Sequence, residues 1–164
     1  MHFEIRDARV EDAEALHEIL TSAHVMEGTM RLPVASLSST RARITPRDGY
    51  IQLVALAGEE LAAFSELVTH PGIARFSHVG EINMIVTHAE WRRKGAARTL
   101  MAAMIDLADN WLNLRRLYLT AFVDNPARAL YEEMGFVVEG TMKDYAYRRG
   151  DYVDAHLMAR LQTR

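Results

Sequence analysis

Arg92-Arg93-Lys94-Gly95-Ala96-Ala97-Arg98 is the stretch on which the fold turns. Upstream of it, Val79 to Thr87 reads as a strand. Downstream, Ala97, Leu100, Met101, Met104, Ile105, Ala108, Trp111 and Leu112 recur at intervals of three and four. That spacing predicts an amphipathic helix, with Trp111 and the methionines in the core. Arg116 to Val123 then alternates Leu117, Leu119 and Ala121 against Tyr118, Thr120 and Phe122, as a strand covered on both faces does. A strand, a helix and a second strand in this order predict a parallel pair.

The stretch itself has the chemistry of an anion site. The first N–H groups of a helix lack intrahelical partners, and the helix dipole adds partial positive charge there. Gly95, Ala96 and Ala97 let a ligand come close to the backbone, while Arg92, Arg93, Lys94 and Arg98 bring formal charge. A phosphate or pyrophosphate suits such a site. On charge alone a solvated surface turn suits it equally. The pattern is neither a dinucleotide fingerprint nor a Walker loop.

Moving outward, Phe3 to Arg6 reads as a strand and Glu11 to Ala23 as a helix. His24 to Ser39 reads as a loop, and Ser38 to Ile44 as a short helix stopped by Pro46 and Gly49. Tyr50 to Leu56 and Leu61 to Val68 flank Gly58-Glu59-Glu60, a hairpin signal. After Val123, a short helix from Pro126 to Met134 ends at Gly135. Phe136 to Gly140 and Tyr152 to Leu161 close the chain as strands, joined by a polar segment containing Gly150. The expected fold class is α/β: a mixed sheet, antiparallel in its front half, with one parallel strand-helix-strand unit.

The 164 residues suit one domain, 1–164, with a core of its own. There is no cysteine, hence no disulfide framework and no thiolate nucleophile. The net charge of −3 recruits neither nucleic acid nor an anionic membrane. The opening Met-His-Phe-Glu-Ile-Arg-Asp lacks the apolar region of a signal peptide, so the expected location is the cytoplasm. His2, His17, His24, His70, His78, His88 and His156 form no His-x-x-x-His pair, and no metal is expected.

Arg92, Gly95 and Ala97 match Arg/Gln-x-x-Gly-x-Gly/Ala, and Leu130-Tyr131-Glu132-Glu133-Met134-Gly135-Phe136 matches Leu-Tyr-x-x-x-Gly-Phe. On these motifs the chain resembles the GNAT N-acetyltransferase superfamily from Glu81 to Leu161. Asp109-Asn110-Trp111-Leu112, Val123-Asp124-Asn125 and Tyr152-Val153-Asp154-Ala155 with Met158-Ala159-Arg160 resemble a bacterial subgroup that includes L-amino-acid N-acetyltransferases. The resemblance implies a mostly antiparallel twisted sheet of about seven strands, a central parallel unit and helices on both faces. It also implies acetyl-CoA as co-substrate and a homodimer.

Carried over residue by residue, the resemblance implies that the fourth strand bulges and splays from the fifth, and that Ile85, Val86 and Thr87 contact the pantetheine arm in the gap. A freed N–H there would bind the thioester oxygen. Family spacing points to Thr87 and residue type to Val86. Arg92, Arg93, Lys94, Gly95, Ala96, Ala97 and Arg98 would hold the pyrophosphate. Asn125 would contact the coenzyme, although its spacing to Tyr131 is one residue short of the family's. Tyr131 would protonate the leaving thiolate, a role that suits a phenol titrating near ~10; its place in the apolar stripe of Leu130 and Met134 equally suits a core side chain. Glu81 would accept the amine's proton through water, or be a strand-end carboxylate. Tyr145, Tyr147 and Tyr152 suit either an acceptor wall or an interface. Glu27 and Met30 lie where the family often builds its acceptor site. Arg31, Arg41, Arg43 and Arg75 are the cations available to an acceptor's carboxylate.

The expected reaction is direct acetyl transfer to the primary amine of a small molecule, a free L-amino acid or an analogue. A peptide or protein amine, and a non-catalytic acyl-CoA sensor, are the other readings the sequence leaves open.

Overall fold

A computed structural model describes residues 1–163. Its seven strands are β1 (Glu4–Asp7), β2 (Tyr50–Ala57), β3 (Glu60–Thr69), β4 (Val79–Thr87), β5 (Arg116–Phe122), β6 (Val137–Arg148) and β7 (Asp151–Leu161). Its α-helices are α1 (Ala13–Leu20), α2 (Ala23–Gly28), α3 (Leu37–Ile44), α4 (Ala96–Asn110) and α5 (Arg128–Glu133). The strands form one sheet in the order β1-β2-β3-β4-β5-β7-β6. Only β4 and β5 pair in parallel, joined by α4. The other neighbours are antiparallel.

Alternating strand residues feed opposite faces. Val54, Phe64, Met84 and Val86 pack against Leu16, Ile19 and Leu20 of α1 and Ile44 of α3. Ala55 and Ala63 pack on the other face against Ala96 and Leu100 of α4. Further along α4, Met101, Met104 and Ala108 meet Leu67, Ile82, Leu117 and Leu119. The helices therefore cover both faces.

Four details depart from the sequence expectations. The helix expected over Glu11 to Ala23 is a 3₁₀ turn, α1 and α2, broken at Ser22, whose ψ of 146° is extended. The expected loop from His24 thus begins as helix. Strand β6 runs on through the polar segment to Arg148, with register irregularities between Val138 and Gly140 and between Met142 and Ala146. Helix α4 stops at Asn110, one residue before Trp111, and Trp111 is 74% exposed rather than in the core. On β5, Tyr118 and Thr120 are only half-buried, so one face of that strand is partly open.

The site is shaped by how β4 leaves β5. Only Val79, Gly80 and Glu81 pair with β5, opposite Arg116, Leu117 and Tyr118. At the next residues a bulge against β3 shifts the register between Glu66 and Leu67 and leaves Asn83 unmatched. Glu66, fully buried, binds this bulge to α3. It accepts from Asn83 Nδ2 (2.6 Å), Gln52 Nε2 (2.7 Å) and Arg43 (3.1 Å), and Arg47 approaches to 3.6 Å. A buried carboxylate with that many donors is satisfied.

Gly80 stands where the two strands still touch. A Cβ there would lie 2.8 Å from Leu114 Cδ1, 3.0 Å from Leu67 Cδ1 and 3.1 Å from Leu117 Cδ2. Gly80→Val therefore overpacks the junction and costs about 1–3 kcal/mol. A thermal melt of this variant should fall by about 2–4 °C for each kcal/mol lost. An unchanged melting temperature would show that the junction yields freely.

Candidate active site

The divergence of β4 from β5 exposes backbone groups selectively. His88 N–H donates to Ala62 O at 2.8 Å, which makes His88 and Ala62 a bonded pair. Antiparallel alternation then makes Val86–Phe64 and Met84–Glu66 bonded pairs and turns the N–H and C=O of Ile85 and Thr87 away from β3. These groups face the side that β5 has left. The Thr87 carbonyl is taken by His24 of α2, whose Nε2 donates to it at 2.8 Å. Ile85 and the Thr87 N–H remain for a ligand, whereas the backbone of Val86 is committed to β3.

Two cavities meet at this divergence. The larger, about 790 Å³, runs from α2 past Ile85, Val86 and Thr87 to the start of α4. The smaller, about 460 Å³, lies between the segment after α2 and the open face of β4 and β5. Gly28, Thr29, Ile85, Asn125 and Tyr131 line both.

At the far end of the larger cavity the loop before α4 has a backbone shape that could hold an anion. Arg93 (φ 59°) and Gly95 (φ 95°) are left-handed on either side of Lys94. Such alternation turns successive N–H groups toward one point. Gly95 meets no neighbour within 4 Å of a built Cβ, so its backbone angle, not space, favours glycine. The first bond of the helix is from Thr99 N–H to Gly95 O, 2.9 Å, which leaves the amides before it outside the helical ladder. Arg92, Arg93, Gly95, Ala96, Ala97 and Arg98 line the cavity. Lys94 does not; its ammonium lies 4.8 Å over the Trp91 ring. Arg98 pairs with Glu133 of α5 at 2.6 Å, an exposed pair of little intrinsic strength.

The rim of this cavity joins distant parts of the chain. Arg148, at the end of β6, donates to the Glu27 carbonyl (2.9 Å) and pairs with Asp124; Arg149 pairs with Glu27 Oε1. Asn125 Oδ1 accepts from Ala127 N–H at 2.9 Å, which shapes the turn into α5.

Tyr131 stands between the cavities, 5% exposed and edge-on to Phe136. Burial pushes its phenol up to about 12. The proton therefore stays on the hydroxyl throughout the neutral range. In the unfolded chain the phenol ionises near ~10, so between pH ~10 and pH ~12 the folded state binds more protons and stability falls as pH rises. The slope from this group approaches 1.4 kcal/mol per pH unit. Urea unfolding at pH 9 and pH 11 should show a loss in the wild type that is smaller in Tyr131→Phe. Equal losses would mean the phenol is not desolvated.

In the smaller cavity Glu81 accepts from the Tyr118 hydroxyl at 3.1 Å. Burial, then the Glu81 charge, raises the Tyr118 phenol above its ordinary value, so it stays a donor to that carboxylate. Met30, Arg31, Arg43 and Tyr145 also line this cavity. Glu27 lines the larger one. Tyr147 and Tyr152 line neither and stack edge-on at 5.2 Å on exposed strand faces. Arg41 pairs with Glu14, and Arg75 lies in an exposed turn. Of the seven histidines, His24 alone lines either of these two cavities, and no group of three or more potential metal ligands occurs among the described residues.

The sequence reading missed His24, Trp91, Arg148 and Arg149. Trp91, one residue before the basic loop, was the best placed to be found. Arg148 reaches Glu27 across 121 positions, and no local pattern announces such a contact.

The description "Acetyltransferase (GNAT) family" belongs to the family model that matches residues 13–136. The L-amino acid N-acetyltransferase AaaT of Escherichia coli (strain K12) is 38% identical over 159 residues, 96% of this chain and 97% of that protein. The crystal structure of a GNAT-family acetyltransferase from Streptococcus pneumoniae superposes with a TM-score of 0.83 at 26% identity, covering 98% of this chain and 100% of that one. Spermidine N-acetyltransferase from Vibrio cholerae, in complex with CoA and spermine, superposes with a TM-score of 0.84 at 27% identity, covering 98% and 95%. No helix among the described residues is long and apolar enough to cross a membrane.

Proposed function

The chain belongs to the GNAT acetyltransferase family, and on that premise we propose that it moves acetyl from acetyl-CoA in the larger cavity to the primary amine of a small molecule in the smaller one. The acceptor in this reading is a free L-amino acid or an analogue. One observation carries it: the two cavities meet at Ile85, Asn125 and Tyr131, so a donor and an acceptor in them would face each other across a buried phenol. The relative that is 38% identical acts, by its name, on L-amino acids.

The cradle of Arg92, Arg93, Gly95, Ala96, Ala97 and Arg98 holds the pyrophosphate of the coenzyme. The pantetheine arm runs along the backbone of Ile85 and Thr87. The amine enters beside Glu81 and gives it a proton, directly or through water. The neutral nitrogen attacks the thioester carbon, and an N–H from β4 steadies the developing oxyanion. The carbon–nitrogen bond forms and the carbon–sulfur bond breaks. Tyr131 gives its proton to the departing sulfur, and the nitrogen's second proton restores the phenol. With no cysteine to carry the acetyl group as a thioester, this reading takes the transfer as direct, with both substrates bound together.

The test is a mass-spectrometric screen of purified protein with acetyl-CoA and free amino acids, polyamines or peptides. N-acetylated free amino acids are the expected products. Acetylated peptides alone would favour a protein acetyltransferase. Bound acetyl-CoA with no product from any amine would favour a sensor. The same reading takes the working form as a cytoplasmic homodimer, on family resemblance. Light scattering on a sizing column should then give twice the chain mass of 18.6 kDa, and the chain mass itself would contradict it.

A further inference from the structure

We propose that the smaller cavity recognises its acceptor by a carboxylate, bound by the Arg31 guanidinium, and so selects amino acids over polyamines. This rests on reading that cavity as the acceptor site.

Arg31 lies on the segment between α2 and α3 and lines the cavity. Its Nε is buried and has no hydrogen-bond partner. Among the described residues Arg31 makes no ion pair, although Arg43, which lines the same cavity, pairs with Glu66. A buried, unpaired guanidinium donor is costly to keep. Burial, then the charge of Arg43, also depresses its pKa. Both strains are relieved by an anion in the cavity, and the planar fork of a guanidinium matches a carboxylate.

The charges of the remaining wall fix what that anion belongs to. Arg43 also lines the cavity, but its guanidinium is already paired with the buried Glu66, which Arg47 also approaches. That leaves one cation without a partner, Arg31, and one carboxylate, Glu81, whose contact is a neutral phenol. A zwitterion complements this pair: ammonium toward Glu81, carboxylate toward Arg31. A polyamine brings two or more positive charges to the same cavity and meets Arg31 with repulsion. The wall between is apolar at Met30, Ile82, Leu119 and Phe122, which suits an aliphatic or thioether side chain.

The experiment compares L-leucine, L-leucinamide, 3-methylbutylamine and spermidine as acceptors for wild type, Arg31→Met and Arg31→Lys, by the rate of CoA release. Wild type is expected to prefer leucine to leucinamide by about 100-fold or more in kcat/KM, since a site built to bind a polar group rejects analogues that lack it. Arg31→Met should lower that preference at least tenfold, through KM for leucine, and Arg31→Lys should recover part of it. An acetyl-CoA-induced rise in melting temperature identifies the variants as folded. Equal turnover of leucine and its amide by wild type would overturn the proposal and leave the acetyltransferase reading standing. So would spermidine as the preferred acceptor, or a variant that slows both acceptors alike. Release with no amine in the panel would overturn both readings.

Discussion

Tyr131→Phe is expected to lower kcat by about 100-fold or more and to leave KM for acetyl-CoA nearly unchanged, in line with the usual contribution of a positioned general acid. The ring would stay where it is, because its packing against Phe136 and the core is unaffected by loss of the hydroxyl. Only the hydroxyl, and with it the proton donor, is removed. A thiolate then has to leave without a donor at a site with little access to water, since the residue is 5% exposed. The wild-type phenol, pushed up to about 12, holds its proton throughout the neutral range. An alkaline fall in rate below pH 11 would therefore belong to another group. Steady-state rates of both proteins, with the amine saturating, check this. A variant that turns over as fast as wild type would make Tyr131 a core side chain and nothing more.

Ala97→Glu should separate folding from binding. Ala97 lies in the first turn of α4 and lines the larger cavity. A carboxylate there opposes the partial positive charge of the helix start, which is worth about 0.3–1 kcal/mol of added stability. The same carboxylate faces whatever anion the cradle holds. Like charges about 4 Å apart repel by about 4 kcal/mol at an effective dielectric of 20. Affinity for acetyl-CoA should fall about 100-fold or more, while the unliganded protein melts no lower than wild type. Calorimetric titration with acetyl-CoA and a melting curve without it give the two values. Undiminished affinity would move the pyrophosphate away from this loop.

The features legible in the sequence are those with a strong local period. Strand β4, the basic loop and α4 follow from apolar spacing and a basic, small-residue run before the helix. The parallel pairing of β4 with β5 follows from their connection by a helix. Strand β6 was read too short because it is an edge strand with most residues exposed on both faces, so no alternation marks it. Helix α2 has six residues and a single buried one, Val25, too little to show a stripe. Trp111 continued the period of α4 by one position, but the chain had already turned out of the helix.

In the site, the loop and Tyr131 were legible because each belongs to a compact motif. Arg31 was one of four arginines the sequence offered. Burial and the absence of a partner distinguish it, and neither is a property of sequence. The resemblance implies a bulge in the fourth strand, but its place at Asn83 and its anchor, the buried Glu66, were not legible. The bulge depends on donors from α3, β2 and β4 converging on one carboxylate.

Direct reaction of two substrates where the cavities meet shows in initial rates of CoA release over a matrix of acetyl-CoA and L-amino-acid concentrations. Release is expected only when an acceptor is present, with double-reciprocal lines that intersect. Parallel lines, or release that ignores the acceptor, would contradict it.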